Sequence, residues 1–126
     1  MLAPFFDNLD PDHVSAHVPN SRGEKILDLH DRVREALVSI VVALDREPEE
    51  PRALLICTHA ATMIAIGRIL TGRVPEDLDE DDFQCYTASL SKFVRKGTEE
   101  EKVFGGWDCV LNAETGYLSG GAERGW

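Results

Sequence analysis

The chemistry this sequence offers is concentrated in two histidine- and glutamate-bearing segments. His59 stands between Thr58 and Ala60, directly after the apolar run 53–57 and directly before a segment of helical spacing. A histidine at a strand-to-helix turn can donate a hydrogen bond, or a charge when protonated, to a phosphoryl-type oxygen. The amides of Ala60 and Ala61 point the same way from a helix N-terminus, where the dipole favours an anion. Small side chains leave room for close approach. A histidine in this place also serves as a cap or a packed structural residue, and the local pattern leaves both readings open. Glu24 is the second candidate. It follows Ser21 in Ser-Arg-Gly-Glu, ahead of a long amphipathic segment. By its local pattern it reads as a capping box in which the glutamate bonds back to the Ser21 amide.

Other polar residues read as structural. His13 and His17 have i, i+4 spacing, but no third ligand lies nearby and Pro11 and Pro19 crowd both sides, so the pair does not read as a metal site. Arg32 falls on the flank of the long helix, where an ion pair with Asp28 or Glu35 is expected. Ser89 and Ser91 lack the glycines of a nucleophile elbow, and Lys92 alternates outward on a strand.

These residues need elements to hold them. From Glu24 to Asp45 apolar residues recur as Ile26, Leu29, Val33, Leu37, Ile40 and Leu44, which predicts one face of a long helix. The prolines at 48 and 51 stop it. The run 53–57 then reads as a short strand buried on both faces of a mostly parallel sheet. A second helix follows through Met63, Ile66 and Leu70, closed by Gly72 and Pro75. Alternation from Cys85 to Val94, with Tyr86, Ala88 and Leu90 on one face, and the segments around Val103 and 107–111 predict further strands, with turns at Gly97 and Gly105-Gly106. The first twenty residues read as irregular, with at most one short helix near His13, and 119–125 as glycine-rich loop.

Composition narrows the function classes. A chain of 126 residues, 43% hydrophobic, suits one compact domain. No apolar run approaches the roughly 20 residues of a membrane span. The N-terminus has no basic n-region, so the protein is expected inside the cell and away from membranes. A formal charge of −10 opposes direct nucleic-acid binding, which needs a basic face. The acidic stretches 75–82 and 99–101 read as solvated loops. Cys57, Cys85 and Cys109 are odd in number and widely spaced, which predicts reduced, mostly buried thiols.

Residues 55–68, Leu-Ile-Cys-Thr-His59-Ala-Ala-Thr-Met-Ile-Ala-Ile-Gly-Arg68, resemble the second-histidine segment of the histidine phosphatase superfamily, the phosphoglycerate mutase-like fold. Residues 23–33, Gly-Glu24-Lys-Ile-Leu-Asp-Leu-His-Asp-Arg32-Val33, resemble the same family's glutamate-bearing helix start. The Thr-His-Ala-Ala form, with residues 85–91 and Gly105-Gly-Trp-Asp108, is most similar to fungal members, among them the histidine-phosphatase-like subunit of transcription factor IIIC. The resemblance runs from about Phe5 through nearly the whole chain. It implies an α/β, three-layer fold with a mostly parallel sheet flanked by helices.

The family's activity is phosphomonoester hydrolysis through a phosphohistidine. By resemblance His59 and Ala60 belong to the phosphate pocket, His59 stabilises charge on the transferring phosphoryl group, and Glu24 protonates the leaving oxygen. Asp12 and His13 fall where the family's chain crosses the pocket mouth, which implies substrate contact. No metal or other cofactor is implied, because histidine supplies both nucleophile and charge. The family's nucleophile lies in an Arg-His-Gly motif that these residues do not contain; His13, His17 and His30 do not match it, nor do any residues match the phosphate-clamping arginines. The resemblance therefore implies that 1–126 is a single incomplete domain, its N-terminal part missing and inactive alone, whose relatives act on a phosphorylated small molecule or phosphoprotein. The alternative is a non-catalytic scaffold that binds a protein partner or itself. The phosphatase reading implies the cytoplasm; the alternative allows the nucleus.

Overall fold

A computed structural model of the chain describes residues 10–49, 53–97 and 102–125. The proline-bearing residues before Asp10, the second half of the helix stop 48–51 and the acidic run 99–101 lie outside them.

Helix α1 spans Ile26–Asp45 and starts two residues later than the apolar spacing predicts. Its N-cap is Lys25, whose amide donates to the Asp28 carboxylate at 3.1 Å. The reciprocal carboxylate of a capping box is thus Asp28. The Ser21–Glu24 cap does not form, because Ser21 sits in a turn ahead of the helix. Helix α2 spans Ala60–Thr71 and ends as predicted at Gly72, which adopts the left-handed φ of 73°. Its amide reaches back to the carbonyls of Arg68 and Ile69, closing the last turn. No helix forms around His13, where the backbone makes a turn and then extends.

The core lies between the helices. Val33, Leu37 and Val41 of α1 meet Ala65, Ile66, Ile69 and Leu70 of α2, with Val103 closing one end. Fully burying a side chain of this size contributes roughly 1.5–3 kcal/mol. The buried face of α1 is narrower than its apolar stripe: Ile26 and Ile40 stay exposed, because among the described residues α2 is the main helix neighbour. Strands β1 (Leu90–Arg95) and β2 (Trp107–Glu114) form an antiparallel pair, with Phe93 opposite Cys109 and Arg95 opposite Trp107. Phe93 and Trp107 pack it onto the helical core.

Two expectations are corrected here. The strand predicted from Cys85 begins only at Leu90, because residues 86–89 fold into a turn with Ala88 at positive φ and the Ser89 amide bonded to the Tyr86 carbonyl at 3.0 Å. Val103 is buried in a turn and joins no strand. The architecture is α/β; its sheet among the described residues is this antiparallel pair, and no parallel pairing of the expected kind is seen among them. Residues 53–59 run without strand pairing, and Leu55 is 77% exposed. A strand is held by hydrogen bonds to a neighbour, and no described segment lies alongside to supply them. Cys57 is exposed for the same reason, while Cys85 and Cys109 are half-buried; all three are free thiols. Among the described residues no helix is long and apolar enough to cross a membrane.

Candidate functional site

His59 is the N-cap of α2, with extended backbone (φ −101°, ψ 164°). Its carbonyl accepts from the Met63 amide at 2.9 Å, and its side chain makes no cap hydrogen bond. The imidazole is exposed. By helix geometry the amides of Ala60, Ala61 and Thr62 have no intrahelical acceptor. An exposed ring beside free amides at the positive end of a helix is suited to receive an anion.

Glu24 sits just ahead of α1. The Arg32 guanidinium, two turns into that helix, donates through Nε to Oε1 at 2.6 Å and through Nη2 to Oε2 at 2.7 Å. This replaces the expected pairing of Arg32 with Asp28 or Glu35. The charged, two-pronged hydrogen bond holds the Glu24 carboxyl below its usual value of 4.5, against a smaller opposing effect of desolvation. An ionised carboxylate cannot act as a proton donor. Glu24 would have to leave Arg32 before serving as a general acid.

A cavity of about 690 Å³ opens beside the first turns of both helices, with Ile26 on one wall and Ala60, Ala61 and Ile64 on another. The starts of α1 and α2 thus flank one space. Ala60 lines it; His59, Glu24, Asp12 and His13 are not among its lining residues. Asp12 and His13 lie in a turn closed onto Asp10, whose side chain accepts from the Asp12 amide at 2.9 Å. His17 lies against α1, with Nε2 3.1 Å from Ser39 Oγ and Nδ1 3.6 Å from Glu35. The two histidines therefore do not share a helix face. Among the described residues no group of three or more His, Cys, Asp or Glu side chains is placed to hold a metal ion.

The far wall is the acidic loop, and it is built on a buried arginine that the sequence pattern did not single out. Arg68 of α2 is 4% exposed. Its guanidinium donates to both oxygens of Asp82, at 3.1 Å from Nε and 2.9 Å from Nη2, and to the carbonyls of Leu78 and Glu80. The Asp82 side chain is fully buried and also meets Arg73 at 3.0 Å. The run expected to be a solvated loop is thus pinned by its last residue. One charge inside an otherwise apolar helix, followed by an acidic run that ends fourteen residues on at Asp82, is the signal that could have found it. His30 of α1 faces the same cluster; burial and then the Arg68 charge push its pKa below the usual 6.5, only partly opposed by Asp31 and Asp82.

Compared with known proteins, residues 3–107 match the family described as "Histidine phosphatase superfamily (branch 1)". The chain is also similar to the "Transcription factor tau 55 kDa subunit" of Saccharomyces cerevisiae, 25% identical over 146 aligned positions that take in 100% of this chain. It spans 34% of that relative's length.

Proposed function

Because the chain belongs to the histidine phosphatase superfamily, we propose that His59 and the α2 amides behind it form the second-histidine half of a phosphate pocket. In this reading His59 and the Ala60 amide hold phosphoryl oxygens and stabilise the charge that develops on them, and Glu24 is the family's proton donor kept in reserve on Arg32. The observation that carries the reading is the shared cavity: Ile26, two residues after Glu24, and Ala60, next to His59, line one space. Asp12 and His13 could reach a substrate only by a rearrangement of their turn. The run 53–57 would be a strand of the family's mostly parallel sheet, and 1–126 an incomplete domain.

These residues contain no Arg-His-Gly, so the route through a phosphohistidine lacks its nucleophile in this chain. The chain would bind a phosphorylated small molecule or phosphoprotein without turning it over. The test is incubation with p-nitrophenyl phosphate, followed by assay of nitrophenol and of acid-labile phosphoryl-protein. The expected result is neither; a phosphohistidine at His13, His17 or His30 would overturn the reading.

A second reading, a non-catalytic interaction protein, is favoured by two observations. Glu24 is tied up ionised by Arg32, and the similar yeast protein is named as a transcription factor subunit. It would work through a protein partner and place the chain in the nucleus, where the phosphatase reading places it in the cytoplasm. Both readings share an unreactive phosphate-type pocket and differ in what covers it.

A further inference from the structure

Residues 53–57, Ala-Leu-Leu-Ile-Cys, hold no charge, proline or glycine, and every one of them is exposed. Among the described residues no backbone hydrogen bond reaches 53–58, and none of these residues has positive φ. Side chains alternate along an extended run, so Leu55 faces one side and Leu54 and Ile56 the other. All three are open to solvent. An apolar run with free amides and carbonyls, and without the charges, prolines or bulges that guard an edge, is a template for a further strand.

Three observations point to a second copy of this chain as the strand that covers it. The first is area. A chain of 14.0 kDa here exposes 9650 Å², where a compact monomer of that mass exposes about 6,700 Å². The surplus of about 3,000 Å² is several times the roughly 800 Å² that each partner covers in a stable interface. The second is charge. A net charge of −10 opposes self-association in general, but residues 51–75 hold none of the 23 acidic side chains, so the run and its flanks meet their own copy without setting acid against acid. The third is pattern. In size the run reads small, large, large, large, small, close to a palindrome. Paired antiparallel about Leu55, it sets Leu54 against Ile56 and Ala53 against Cys57, so a two-fold axis gives each side chain an apolar neighbour.

We propose that residues 53–57 are a dimer interface and pair antiparallel with the same run of a second copy, across a two-fold axis at Leu55. The proposal does not depend on the phosphate reading of His59. His59 lies four residues from the axis, so the pairing carries the two His59 residues to opposite ends of the ribbon, about 27 Å apart. The register also separates the two Cys57 residues. Their Cα atoms lie about 14 Å from each other, twice the roughly 7 Å that a disulfide can bridge. A parallel pairing in register would put them side by side.

The test is sedimentation velocity of the 126-residue chain at micromolar concentration, followed by copper–phenanthroline oxidation and peptide mass spectrometry of wild type, Leu55→Cys and Ala53→Cys. The expected result is a dimer. Leu55→Cys should link position 55 to position 55 about tenfold faster or more than wild type links Cys57 to Cys57. Ala53→Cys, which keeps all three large side chains, should link position 53 to Cys57 of the second copy at a similar rate. A chain that stays monomeric assigns the run to a strand of a different protein and overturns the proposal. Assemblies that grow past the dimer do so too, because a two-fold pairing closes. A Cys57-to-Cys57 link in wild type as fast as the engineered ones marks parallel pairing and also overturns it, as does a dimer in which neither variant links at the stated positions.

Discussion

Replacing Asp82 with alanine isolates the interaction that holds the cavity's far wall. The wild-type carboxylate is fully buried against Arg68, itself 4% exposed, with Arg73 on its outer side. Removing it leaves a buried guanidinium with only the Leu78 and Glu80 carbonyls. Taking one partner from a buried ion pair costs about 3–5 kcal/mol, mostly because the surviving charge stays out of water. At about 4 °C per kcal/mol for a chain of this size, the midpoint should fall by roughly 12–20 °C. The assay is thermal unfolding by circular dichroism at neutral pH, repeated on Arg68→Met and on the double variant Arg68→Met/Asp82→Leu. The double variant should recover much of the loss, since a buried pair replaced by apolar groups costs little. If Asp82→Ala costs less than about 1 kcal/mol, or the double variant is no more stable than the single ones, Arg68 and Asp82 do not form the pair described.

Three further outcomes follow from the same structure. A Cβ on Gly67 would lie 2.6 Å from the Phe83 ring, so Gly67→Ala should destabilise by about 1–3 kcal/mol in urea unfolding, with Phe83→Leu restoring part of it. The unpaired, exposed apolar run 53–57 should drive self-association, visible by sedimentation velocity at micromolar concentration; Leu55→Lys should shift the chain toward monomer. Because Arg32 depresses the Glu24 pKa in the folded state, the pair adds stability above the unfolded value of 4.5 and loses it as pH falls through the lower folded value. The gap in melting temperature between wild type and Glu24→Gln should therefore close as pH drops from about 5 toward 3, and a gap independent of pH would count against the ion pair.

The helices were legible in the sequence because each is written twice, in spacing and in punctuation. The steps from Ile26 to Leu44 mark α1, and Gly72 stops α2 at the predicted place. The start of α1 was misplaced because Ser21–Glu24 and Lys25–Asp28 both carry capping chemistry, and only the chain's path decides between them. The run 53–57 reads as a buried strand in any sequence, but burial and pairing belong to its neighbours. His59 was found because a strand-to-helix junction is a local signal. The partnership of Arg68 with Asp82 joins residues fourteen apart through a turn, and that of Glu24 with Arg32 spans two helical turns; neither distance can be read from residue type alone.

We propose above that His59 and the α2 amides form an anion-binding half-site without the family's nucleophile. Titration with inorganic phosphate, followed by amide chemical shifts in the 126-residue chain, tests it most directly. Saturable shifts are expected at His59, Ala60 and Ala61, abolished in His59→Ala while the α1 and β2 signals stay in place. Shifts absent from the start of α2, or undiminished in His59→Ala, would contradict it.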